Sequence, residues 1–221
     1  MAIINQITYK VAAERIERRL FNGWPSIAAN ITSNEIYLYL YEAVAAVIIQ
    51  QSNLNIRVDG VRSIPEGFIT TYKYSTFSKD YNTGLYYITL QAPPINLPLG
   101  YSIISPYFAN NSNVSSPLIL VSSYQRGYNK LLPTPNFGIY AYVEGSTMFI
   151  DTNGTDITLL GTLYVPMLSA RSATGNDTDV INIPDDAMST VFDIVIQKLT
   201  QRLQIPQDNV NDGIMAPTQK S

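Results

Sequence analysis

The chain contains no cysteine and no histidine. Without cysteine there is no disulfide, no thiolate zinc site, no iron–sulfur cluster and no thiol nucleophile. Without histidine the commonest general base and the commonest metal ligand are missing too. An enzyme built on this sequence would have to use Asp/Glu pairs, a Ser–Lys pair or a cofactor. Charge is also scarce. Asp, Glu, Lys and Arg make up 14% of the 221 residues, against roughly 25% in an average soluble protein. Two readings of that scarcity stay open: much of the surface faces other protein, or Asn, Gln, Ser, Thr and Tyr solvate it instead. A net charge of −3 and a pI near 4.9 do not supply the basic footprint that general nucleic-acid binding needs. The longest apolar run, Ala43–Ile49, falls far short of the ~20 residues of a membrane span, so no membrane partner is expected. Met1–Lys10 lacks the charged start and apolar run of a signal peptide, and synthesis in a cytoplasm is the expectation.

What is present is a chain 46% hydrophobic, enough to build a core, with 16 Tyr, 7 Phe and a single Trp. Tyr is rigid and amphipathic, which suits contact surfaces; it also suits strands, so the signal is shared. With no site chemistry in view, the composition points to a structural subunit of an assembly and not to an enzyme.

Helical periodicity marks a first helix over about Thr8 to Phe21, with Tyr9, Ala12, Ala13, Ile16 and Leu20 on one face. Gly23 and Pro25 are placed to end it. Thr32 and Glu35 fit a capping box ahead of a second helix from Asn34 to Gln51. Ile36, Leu40, Val44, Val47 and Ile48 form its stripe. Tyr37, Tyr39 and Tyr41 lie on its other faces and are candidate assembly contacts, with packing in the chain's own core as the alternative.

From Asn55 to Ile183 the pattern changes to Tyr-, Thr-, Ile- and Val-rich segments punctuated every 8–12 residues, as in an antiparallel sandwich or barrel. Strands are expected over Phe68–Tyr74, Gly84–Leu90, Tyr101–Ile104, Leu118–Val121, Gly138–Val143, Thr147–Ile150 and Thr158–Val165. Asn153-Gly154 between the last two is a turn signal. A closing helix starts near Pro184, with Asp185 and Asp186 complementing its positive end and Met188, Val191, Val195, Leu199 and Leu203 as its stripe. The fold class that follows is α+β: a helical bundle of N- and C-terminal helices carrying a large inserted antiparallel β-sandwich or barrel. Its parts are residues 1–54 (N-terminal helices), 55–183 (β domain), 184–205 (C-terminal helix) and 206–221 (extended tail).

No phosphate loop, nucleophile elbow or EF-hand spacing occurs. Asp185 and Asp186 are adjacent, so on a helix they point about 100° apart and make a poor acid/base dyad; starting the helix is the better account of them. Asp151 and Asp156 flank the Asn-Gly turn, where turn chemistry outweighs a cation site. Arg15, Arg18 and Arg19 are the one basic cluster. They read either as a solvated face balanced by Glu14 and Glu17 or as a contact for an acidic neighbour. No catalytic residue, cofactor or metal ligand is expected.

The layout resembles a family. The helical start Ile7–Ile16, the buried run Glu42–Ile49, a Tyr/Asn-rich β insert and the closing-helix start Asn182-Ile-Pro-Asp-Asp186 are similar to the head-to-tail adaptor, or ring, proteins of tailed bacteriophages. The resemblance is strongest to the ring proteins of crAss-like phages. It covers most of the chain and rests on layout more than on specific motifs. It implies a virion protein at the capsid–tail junction, made in a bacterial host. It implies a closed homo-oligomeric ring, typically twelvefold, below the portal. The partners it implies are the portal, neighbouring tail or ring proteins, and genomic DNA in transit. The rival functions are a carbohydrate- or receptor-binding β module and a carboxylate-based, glycosidase-like tail enzyme.

The tail carries Ile214 and Met215 as candidate assembly contacts and few other large apolar residues after Val210. It has little with which to anchor itself to its own core. Deleting Asp212–Ser221 is expected to leave the melting temperature of the isolated chain nearly unchanged while weakening assembly. A marked fall in that melting temperature would contradict this.

Overall fold

The computed structural model describes residues 7–21, 31–59, 66–97, 102–110, 115–125, 138–171 and 176–204. Helix α1, Tyr9–Leu20, begins where Thr8 Oγ1 accepts a hydrogen bond from the Val11 amide at 3.3 Å. Its Arg18 and Arg19 lie in the last turn, where cations suit the helix dipole. Helix α2 spans Ser33–Asp59. Thr32 Oγ1 accepts from the Glu35 amide at 3.4 Å, which is one half of the expected capping box. The Glu35 carboxylate pairs with Arg202 of the closing helix.

Helix α2 is longer than the periodicity suggested. Residues 55–59, expected to open the β region, are helical, so the boundary placed between residues 54 and 55 falls inside α2. Asn53 and Asn55 follow the Gln51 end that the apolar stripe suggests. Asn costs a helix only tenths of a kcal/mol, ~0.7 at most, and no Gly or Pro interrupts the sequence between Pro25 and Gly60. Gly23 and Pro25 lie outside the described residues.

The third long helix, labelled α4 below, spans Asp185–Gln204. Tyr9, Ala12 and Ile16 of α1, Ile36, Leu40, Val44 and Ile48 of α2, and Val191, Val195 and Leu199 of α4 are buried in one apolar cluster. Ion pairs set the register of these helices. Lys198 Nζ meets Glu42 Oε2 at 2.7 Å and Arg202 meets Glu35, so α2 and α4 run antiparallel. Arg19 reaches Asp193 at 4.0 Å. Exposed pairs of this kind contribute up to about 1 kcal/mol each, whereas burying one Leu, Ile or Val contributes about 1.5–3 kcal/mol. The apolar stripe therefore holds the helices and the charges align them. The segments entering α1 and α4 are clipped together. Tyr9 N–H donates to Asp179 O (3.0 Å), Lys10 N–H to Asp177 O (2.8 Å) and Ile181 N–H to Ile7 O (2.9 Å).

The β region holds strands β1 (Thr70–Tyr74), β2 (Ser78–Lys79), β3 (Tyr86–Thr89), β4 (Tyr107–Ala109), β5 (Ser115–Leu120), β6 (Ile139–Glu144), β7 (Thr147–Asp151) and β8 (Thr162–Met167), with the one-turn helix α3 (Ile157–Leu160) before β8. They form one eight-stranded sheet in the order β1-β8-β4-β5-β6-β7-β3-β2, curled into a half-barrel. Tyr72, Ile88, Phe108, Leu118, Ala141, Met148, Leu163 and Val165 belong to the buried cluster on its inner face. Phe68, Ile95, Leu97 and Leu168 belong to the helical cluster instead. The ends of β1 and β8 and the segment after β3 thus join the two cores.

Several expectations are corrected. The sheet is not antiparallel throughout: β5 and β6 pair in parallel, Leu118 opposite Ile139 and Leu120 opposite Ala141. The long connection between them supplies the crossover that a parallel pair needs. Of the strand expected over Tyr101–Ile104, Tyr101 lies outside the described residues and residues 102–104 make a single bridge, Ile103 to Met167. The strand expected over Thr158–Val165 begins at Thr162, because Asp156 accepts a hydrogen bond from the Thr158 amide at 3.0 Å and starts α3 there. Asn153 and Gly154 do adopt a left-handed turn, at φ 52° and 86°, but it leads from β7 into α3. Strand β4 and the first half of β5, with Pro117 inside it, were not anticipated, since Pro argues against a strand interior.

Gly161 sits between α3 and β8 at φ +86°, where an added Cβ would lie 2.5 Å from the Ala109 carbonyl oxygen. Both the conformation and the neighbouring backbone require glycine here. Gly161→Ala is expected to cost at least ~2 kcal/mol by chemical denaturation. Gly84→Ala, also at positive φ but with open space around it, should cost about 1 kcal/mol. Equal losses at the two positions would refute the steric argument.

Candidate functional site

The residues nominated from sequence fall into two groups on the helices. Arg15, Arg18 and Arg19 are exposed on α1. Arg19 is engaged within the chain, by Asp193 and by the ring of Phe192, whose centroid lies 5.3 Å from the guanidinium carbon. Arg15 and Arg19 line, with Ile7, Asp185, Met188 and Phe192, a cavity of about 260 Å³ between α1 and the start of α4. The arginines are therefore not a uniform free patch.

Tyr37, Tyr39 and Tyr41 do not form one row either. Positions i and i+4 share a helix face, whereas i+2 lies roughly 160° around it. All three are half-buried against the helical cluster. Tyr41 packs on Tyr9 with ring centroids 4.8 Å apart, and the Arg171 guanidinium lies 5.8 Å from its centroid. The Lys198 ammonium lies 5.8 Å from the Tyr39 ring. Burial, then the charges of Asp177, Glu17 and Glu14, push the Tyr37 hydroxyl above its ordinary range. The outward apolar residue of this stretch is Leu38, 55% exposed. Ile214 and Met215 lie outside the described residues.

The acidic residues that sequence reading weighed serve local structure. Asp151 Oδ1 accepts from the Asn153 amide at 3.0 Å, and Asp186 Oδ1 accepts from the Ala187 amide at 3.0 Å in the first turn of α4. Asp80 accepts from the Thr83 hydroxyl at 2.7 Å and the Asn82 amide at 3.0 Å, which holds its carboxyl below the usual range. Among the described residues there is no cluster of three or more Asp or Glu able to hold a metal ion.

The sheet carries a feature that sequence reading missed: aromatic ladders on its outer face. Lys73, Tyr164 and Tyr107 lie in register across β1, β8 and β4. The Tyr107 and Tyr164 rings stack at 5.1 Å and 5°, and the Lys73 ammonium lies 5.5 Å from the Tyr164 centroid. A second ladder joins Tyr87, Phe149 and Tyr142 across β3, β7 and β6, with centroids 6.1 and 5.1 Å apart. Register creates both, and register is set by partners distant in sequence. Beside the second ladder the Tyr140 hydroxyl is buried without a hydrogen-bond partner among the described residues. Between the end of β5 and the segment around Ile103 lies a groove of about 710 Å³. No helix among the described residues is long and apolar enough to cross a membrane.

Tyr9 couples the two bodies: its hydroxyl donates to Ala170 O at 2.6 Å. Burial first, then Tyr41, Tyr72 and Asp179, raise this hydroxyl well above its ordinary value of 10.0. The unfolded chain then loses the proton before the folded one, so stability is complete below pH ~10 and falls as pH rises above it. Burial raises Tyr72 and Tyr74 in the same direction. Tyr9→Phe is expected to cost about 1 kcal/mol at pH 7, because the Ala170 carbonyl loses its donor. It should also make the decline above pH 10 shallower in urea unfolding. An unchanged alkaline slope would remove Tyr9 from that account.

No known family model matches the chain, and no curated protein is detectably similar to it.

Proposed function

We propose that this chain is a structural protein of a phage virion. In this reading it forms a closed ring below the portal, joins capsid to tail and continues the channel through which DNA passes. The observation that carries the reading is the division of labour along the chain. Helices from both ends share one apolar core with α2, while the residues between them build a sheet with a core of its own. We read this arrangement as a helical bundle carrying an inserted β domain, the layout of the adaptor proteins the sequence resembles. It gives each copy two surfaces of different character. A ring closes by head-to-tail contacts, which need two different surfaces on each subunit. Permanent interfaces of this kind bury more than ~2,000 Å² and are poor in charge. A chain with 14% charged residues, some of them paired internally, has surface of that quality. The twelvefold order comes from the resemblance alone. In the same reading the protein is not an enzyme and carries no cofactor.

A glycan- or receptor-binding module is the second reading, favoured by the aromatic ladders. Tyr164, however, has Tyr107 on one face and Lys73 towards the other. A ring with both faces occupied offers no platform for a sugar.

Cryo-electron microscopy of the particle that contains this chain should find it as a ring at the capsid–tail junction. Free protein can remain monomeric and close only on a portal template, so the particle is the place to look. Finding it as a fibre trimer, a capsid decoration or a host protein would reject the proposal. Robust glycan, ester or phosphate turnover abolished by one Asp or Glu substitution would do the same.

A further inference from the structure

Strand β5 pairs with two different neighbours along its length. Its first half pairs with β4, Ser115 to Pro117 against Tyr107 to Ala109; its second half pairs with β6. The last contact with the β4 side is Leu118 N–H to Pro106 O at 2.8 Å. Beyond it the two walls part. Ser105, at φ +42°, turns the chain ahead of β4 away from β5 in a conformation uncommon for a residue other than glycine. The groove of about 710 Å³ opens in this fork.

Each wall of the fork presents one backbone position that no strand pairs with among the described residues. Ile104 N–H donates to Pro166 O, and Ser102 O accepts from Leu168 N–H, both at 2.8 Å. These two bonds flank the Ile103–Met167 bridge. In an antiparallel ladder that makes Ile103 a non-hydrogen-bonded position, with its N–H and C=O directed away from β8 and into the fork. On the other wall, Val121 N–H donates to Ala141 O at 2.9 Å. Backbone groups alternate along a strand, so those of Leu120 point the opposite way, on the side where Leu118 meets Pro106. No strand lies between Ile103 and Leu120 among the described residues. The rest of the lining is mostly apolar (Ile95, Leu97, Val143) or uncharged polar (Asn96, Ser122, Ser123), and among the described residues no Asp, Glu, Lys or Arg lines it.

From this geometry we infer that the fork is a strand-acceptor site: it binds an extended, uncharged peptide segment of a partner protein. The segment adds main-chain hydrogen bonds to Ile103 on one wall and Leu120 on the other. Two facing walls of strand backbone specify an extended chain, as in other strand-addition complexes. The uncharged lining selects against Lys, Arg, Asp or Glu at inward positions, since a charge buried there would have no partner. The inference does not depend on the ring reading.

Amide hydrogen exchange on the full-length chain tests it. In the free protein the Ile103 and Leu120 amides should exchange at least ~100-fold faster than the bonded amides of Ile104 and Val121. An acetylated and amidated peptide alternating Val or Ile with Thr or Ser, added at millimolar concentration, should protect both amides. The same peptide with Lys at alternate positions should protect them at least ~10-fold less well. Ser123→Trp, placed to fill the groove, should abolish the protection while circular dichroism stays unchanged. Slow exchange at both positions in the free chain would overturn the inference. So would no protection by the uncharged peptide, or equal protection by the lysine peptide. The exchange pattern and peptide arms use the unaltered chain, so they decide the matter even if the Trp variant fails to fold.

Discussion

A three-residue link shapes the β region. Strands β1 and β2 stand at opposite ends of the sheet order, yet only Ser75, Thr76 and Phe77 separate them. Laid flat, eight strands would place the two edges about 34 Å apart. The link from Tyr74 to Ser78 can reach only about 14 Å even when fully extended. The sheet has to curl until its edges approach. Phe77 helps to fill the space this creates, with its ring centroid 5.7 Å from that of Phe108. Curling separates the faces. The inner one collects the aliphatic residues and the outer one is left with the cross-strand aromatic ladders. It also requires a place where the ladder bends. Strand β5 supplies this by changing partners at Pro117, a residue with no N–H to lose there.

The helical body is built by a different rule. Its three long helices are held by aliphatic burial and aligned by a few exposed ion pairs, and the entry segments of α1 and α4 are tied by main-chain hydrogen bonds. Residues 7–10 therefore need residues 177–181 to be in place. These bonds join the entry segments of the first and last helices across more than 160 residues of sequence. Tyr9 sits at this closure. It is buried in the helical cluster, it donates to Ala170 just past the last strand, and it packs on Tyr41 of α2.

How much of this was legible depends on whether a feature is local. The cap at Thr32, the buried stripes of α1, α2 and α4, and the strands around Tyr72, Ile88, Ala141, Met148 and Val165 were readable, because periodicity and capping act within a few residues. The end of α2 was misplaced because Asn53 and Asn55 resemble loop residues, while a helix already anchored by Val44, Val47 and Ile48 carries them easily. The strand expected across Thr158 was lost to Asp156, whose cap overrides β-branched propensity. The parallel pair, the ladders and the fork could not be read at all. Each follows from which strands become neighbours, and that is decided by the closure of the sheet. Among the nominated residues, spacing alone could have shown that Tyr39 does not share a face with Tyr37 and Tyr41. That Arg19 would be held by Asp193 could not have been known without the packing of α1 on α4.

Part of the chain's scarce charge is engaged within it. Glu35 and Arg202, Glu42 and Lys198, and Arg19 and Asp193 are paired within the chain. Asp80, Asp156 and Asp186 hold turns and helix starts. Most of these groups stay in contact with water, so pairing and capping do not withdraw them from the surface. Tyr81 and Tyr124 stand more than 90% exposed and Leu159 is 72% exposed, all three on the periphery of the sheet. Single exposed apolar residues are ordinary, and the paired and capping charges align helices and start turns while staying largely in water.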